Sequence, residues 1–132
     1  MNHIQSEPGK LQRRAGKGAA SDLRAWARGS LATEAAVELL LRACHGRLAE
    51  PGWPWLPSSR GRIWLDATQI AAATGGLSAG EVRILSIIDS LVTGTALPDL
   101  AGLLAGLDPR TLALVLAALG HAGGAGRPAN WS

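Results

Sequence analysis

L-S-A-G-E-V-R-I-L-S-I-I-D-S-L-V-T-G, residues 77–94, is a helix with both ends written into it. Ser78 stands where an N-cap belongs. Glu81, three residues on, completes a capping box that satisfies two orphan backbone donors reciprocally. Gly94 follows the last periodic residue and is suited to the left-handed C′ position. Between them Ile84, Leu85, Ile87, Ile88, Leu91 and Val92 cover more than half the circumference. Arg83, Ser86, Asp89, Ser90 and Thr93 form one narrow polar stripe. A face that wide needs partners on several sides. The expectation is an all-α, single-domain helical bundle of five or six helices wrapped round this helix, about 78–93.

Composition agrees. The 132 residues fit one domain, and the apolar supply is Ala and Leu with no Phe or Tyr. Five Trp, at 26, 53, 55, 64 and 131, are the whole aromatic content. Small and branched side chains without rings favour close helix packing and argue against a β-sandwich. The first thirty residues carry no apolar core of a secretory signal. The longest apolar run, 112–119, is far short of the ~20 residues that a membrane span needs. A soluble, cytoplasmic protein is expected.

Outward from the 77–94 stretch, the chain divides into a disordered basic arm (1–20), a helical domain (21–122) and a flexible tail (123–132). Within the domain, Ser21 caps a short helix from Asp22 to Arg28. Ser30 or Thr33 caps a long one running to about His45, on which Glu38 and Arg42 are correctly ordered for an i,i+4 pair. Residues 46–62 hold three prolines and three glycines and read as a loop. Asp66 caps a helix from Ala67 to Thr74, closed by Gly75-Gly76. Pro98-Asp99 and Asp108-Pro109 start two further helices. The last, Arg110 to about His121, is apolar nearly all round and so is buried in the domain or in an oligomer.

Most enzyme chemistry finds no support. The histidines at 3, 45 and 121 have no metal-ligand spacing, and no phosphate-binding glycine motif is present. Asp66, Asp99 and Asp108 occupy helix starts, where capping accounts for them. Cys44, the single cysteine, falls in an apolar helix pattern and reads as a small buried hydrophobe. No catalytic, metal-binding or cofactor-binding residue is named.

Two surfaces remain. Trp53-Pro54-Trp55 is an extended segment that packs as a lid or offers an aromatic platform. Beside the small Ala113 and Ala117 of the last helix, close helix approach is possible. Trp53, Trp55, Ala113 and Ala117 are therefore the candidate protein-interaction residues of a non-enzymatic module acting through a protein partner or self-association. The central helix and the Leu31–Cys44 helix are expected to cover one side of 112–119, and the Trp loop most of the other, leaving some apolar surface beside Ala113 and Ala117. The alternative is a nucleic-acid-associated accessory protein. Residues 1–30 hold six Lys/Arg against two acidic residues, while the rest holds seven against eight, so the +3 net excess belongs to the arm. Arg13, Arg14, Lys17, Arg24 and Arg28 are its candidate contacts. Residues 66–92 also read as a degenerate helix-turn-helix, though the supposed reading helix has only Ser78, Glu81 and Arg83 to read with near its start.

The segment S-A-G-E-V-R-I-L-S-I-I-D-S-L-V-T-G-T-A-L-P-D-L-A-G-L-L-A-G-L-D-P-R-T-L-A-L-V-L-A-A-L-G-H-A-G resembles a recurring C-terminal pattern of small actinobacterial helical proteins of uncharacterised function. The upstream E-A-A-V-E-L-L-L-R-A is similar to theirs too, so the resemblance covers about residues 30–122. It implies a helical fold and an actinobacterial source, and no activity.

Overall fold

The computed structural model describes the backbone of residues 8–131, with side chains from Gly18 onward. The fold is mostly helical, with α1 (Pro8–Ala27), α2 (Leu31–Arg42), α3 (Ala79–Thr93), α4 (Leu100–Ala105) and α5 (Pro109–Ala122). Among the described residues the only sheet is a two-residue hairpin, β1 (Ser58–Ser59) and β2 (Arg62–Ile63), with Ser58 opposite Ile63. Arg60 (φ 53) and Gly61 (φ 76) turn it, the two left-handed residues that a two-residue hairpin loop demands.

The local signals hold where they were strongest. The Ser78 hydroxyl accepts from Glu81 N–H at 3.1 Å, and the Glu81 carboxylate accepts from Ser78 N–H at 2.9 Å. Gly94 closes α3 at φ 78. Asp99 and Asp108 cap α4 and α5 by accepting from Gly102 and Thr111 N–H.

The hub is α2 and not α3. Helix α2 packs on α1, α3 and α5, and six consecutive residues, Ala35–Leu40, are buried. Ala35 and Ala36 let neighbouring backbones approach, while Val37, Leu39 and Leu40 fill the space between. Helix α3 buries Ile84, Leu85, Ile87 and Ile88 but leans on α2 and two short 3₁₀ segments.

Four expectations are corrected. Helix α1 starts at Pro8, not Asp22, so residues 8–20 are helical; residues 1–7 lie outside the described residues. From Gly18 onward, Ala19, Leu23 and Ala27 are the buried residues of α1. Helix α2 ends at Arg42. Cys44, His45 and Gly46 then take left-handed φ of 53, 57 and 78 within a 3₁₀ segment, Ala43–Ala49. Residues 67–73 form two 3₁₀ turns, Ala67–Gln69 and Ala71–Ala73, in place of an α-helix, so the proposed helix-turn-helix lacks its first helix. The tail is folded back rather than loose: Trp131 is buried, in a 3₁₀ turn from Ala129.

Candidate functional site

The Trp53-Pro54-Trp55 loop is a lid. Trp55 is fully buried, and its indole N–H donates to the Leu48 carbonyl at 2.9 Å. Trp53, half-buried, stacks on Trp55 with centroids 4.7 Å apart and donates to the Arg47 carbonyl at 2.8 Å. The Arg47 guanidinium lies over the Trp53 ring and pairs with Glu81. Buried Trp55 has no surface to offer a partner. The loop anchors the left-handed 43–49 segment to the start of α3.

The same segment accounts for Cys44. Burial, helped by the nearby Glu81 and Asp108 carboxylates, pushes its thiol up, away from the reactive thiolate.

Where α1, α2 and α5 meet, a charged cluster lines a cavity of about 210 Å³. Glu38 accepts from Arg24 Nε at 2.8 Å and from Arg42 Nε at 3.0 Å. Arg42 also donates to the Trp131 carbonyl at 2.7 Å, and Arg127 does so at 3.2 Å. Burial pushes the Glu38 carboxyl up, but Arg24 and Arg42 outweigh it and hold the group below the ordinary range. Glu34 is lowered by its hydrogen bond with His121 Nε2 (3.0 Å) and then by Gly29 N–H. His121 packs against Trp131 at 5.0 Å. Every carboxylate here is already engaged by protein donors, and no nucleophile adjoins His121 in the cavity lining. The cluster is a clamp tying α1, α2 and the returning tail together. The i,i+4 spacing of Glu38 and Arg42 showed part of it; Arg24 and Trp131 had no sequence signal.

Helices α4 and α5 are different. Helix α4 buries no residue, and α5 buries only Val115 and Ala118. Leu100 is 45% exposed and Leu116 54%. Ala113 is exposed and Ala117 half-buried. By helix register Ala113 and Leu116 share the side of α5 opposite its buried residues. Of the predicted pair, Ala113 lies on open surface beside Leu116, while Ala117 packs against the core.

Of the predicted nucleic-acid contacts, Arg13, Arg14 and Lys17 fall in the part of α1 whose side chains lie outside the described residues. Positions 10, 13, 17 and 24 fall on one side of the helix by register, with Arg28 exposed just past its end. Arg24 is occupied by Glu38. Among the described residues no group of His, Cys, Asp and Glu is placed to hold a metal ion, and no helix is long and apolar enough to cross a membrane.

Compared with family models, curated proteins and solved structures, the chain matches none.

Proposed function

We propose that this chain is a non-enzymatic, cytoplasmic binding module that engages a protein partner or a second copy of itself through the α4–α5 face. One observation carries the reading. Helices α4 and α5 fully bury only Val115 and Ala118 between them, and each leaves a large apolar side chain exposed, Leu100 on α4 and Leu116 on α5. Single exposed apolar residues are ordinary, but large apolar side chains left open on two helices with few fully buried residues are the kind of surface that binding completes. Ala113, beside Leu116, allows a second helix to come close. Leu116→Glu puts a charge on this face without touching the core. Protein captured with the wild-type chain after nuclease treatment should be lost with this variant, and retention of the same protein would refute the assignment.

A second reading has its own support. The cations of α1 are spaced to one side of a helix, which suits contact with a phosphate backbone. Neutralising Arg13, Arg14, Lys17 and Arg28, while leaving Arg24 on Glu38, should weaken binding to nucleic acid and flatten its salt dependence. Equal affinity at equal salt would dismiss it.

A further inference from the structure

Helix α1 and the β1–β2 hairpin enclose a second cavity, of about 370 Å³, lined by Asp22, Trp26, Ser59, Arg62, Ile63 and Trp64. Asp22 holds the hairpin to the helix by accepting from Ile63 N–H at 3.0 Å. Trp26 and Trp64 meet across the join as a tilted pair, centroids 6.4 Å apart at an interplanar angle of 46°. Trp26 is 39% exposed, although burying it would be worth more than burying any other side chain of α1. Arg60 and Arg62 stand exposed on the hairpin. Unlike Arg24, Arg42 and Arg47, neither makes an ion pair among the described residues.

We propose that this cleft binds single-stranded nucleic acid, with a base stacked on the Trp26–Trp64 pair and the adjoining phosphates held by Arg60 and Arg62. Exposed aromatics beside unpaired cations are what a flexible single strand requires: π-faces for its unstacked bases and positive charge along its backbone. A duplex hides its base faces in its own stack and has none to lay on the indoles. The inference rests on the nucleic-acid reading above and adds to it a site, a strandedness and four residues.

The test is fluorescence anisotropy of the full chain with labelled oligo-dT and with a duplex of equal length, over a range of salt. The wild type should prefer oligo-dT. Trp26→Ala, at an exposed position, should bind about tenfold more weakly, the loss expected for one base stack, with its salt slope unchanged. Arg60→Asn with Arg62→Gln, Asn being at ease in the left-handed turn, should reduce the slope by about 1.4, two phosphate contacts on a single strand. Duplex preference, or Trp26→Ala binding as tightly as wild type, would overturn the cleft. If binding then still fell on neutralising Arg13, Arg14, Lys17 and Arg28, the α1 reading would stand without it. No binding to either probe would overturn both.

Discussion

Replacing Glu38 by Gln keeps its volume and removes its charge from between Arg24 and Arg42. Two limits frame the cost. Losing one partner of an ion pair wholly withdrawn from water costs ~3–5 kcal/mol, whereas a pair in solvent is worth ~0–1 kcal/mol. The Glu38 side chain is 8% exposed, Arg42 23% and Arg24 48%, so the acid is withdrawn from water while its partners reach it. Water then recovers part of what the arginines lose, and the expected destabilisation is about 1–3 kcal/mol. The loss should divide unequally. Arg24 is screened by solvent, but Arg42 also carries the Trp131 carbonyl. In double-mutant cycles with Arg24→Met and Arg42→Met, read from urea midpoints at constant m, coupling to Arg42 should exceed coupling to Arg24. An unchanged midpoint for Glu38→Gln, or equal coupling to both arginines, would refute the clamp.

Ile88→Ala empties a fully buried site between α3 and α2 and should cost ~2–5 kcal/mol by urea denaturation. Ser78→Ala removes one half of the capping box and should cost ~1 kcal/mol by the same measurement. Glu34, Glu38, Glu81 and Asp108 are all held below their ordinary values when folded. The unfolded chain therefore binds more protons in that window, so their contribution is full above the ordinary 4.5 of a Glu and is lost as pH falls through the folded values. Melting temperature should hold from neutral pH to pH ~5 and drop below it; a flat profile to pH ~3 would contradict the carboxylate partners assigned here.

What could be read in the sequence was local. Ser78, Glu81 and Gly94 fix α3 through bonds within a few residues, and Asp99, Asp108 and Pro109 start their helices the same way. What could not be read depends on distant partners. Glu38 looks like part of a polar stripe until Arg24, fourteen residues earlier, comes to meet it. That pairing buries a charged residue in α2, and α2, not the more uniformly apolar α3, packs on α1, α3 and α5 alike. Cys44 and His45 take left-handed backbone that their own preferences oppose, within a segment held by Trp55 on the Leu48 carbonyl and by Arg47 on Glu81. Residues 8–20 lack a periodic apolar face, so nothing in their pattern announces a helix. Ala113, read as a small side chain open to a partner, is exposed on α5. Trp55 was misjudged because large aromatics suit a core and a binding site equally well.

The account stands or falls on whether the α4–α5 face is used. The most direct measurement is the mass, by light scattering after size exclusion, of the chain recovered from its source cells and treated with nuclease. The wild type should elute as a particle heavier than the 13.6 kDa of one chain, and Leu116→Glu should return it to that mass. A particle of 13.6 kDa for both proteins, or a heavier one indifferent to Leu116, would contradict it.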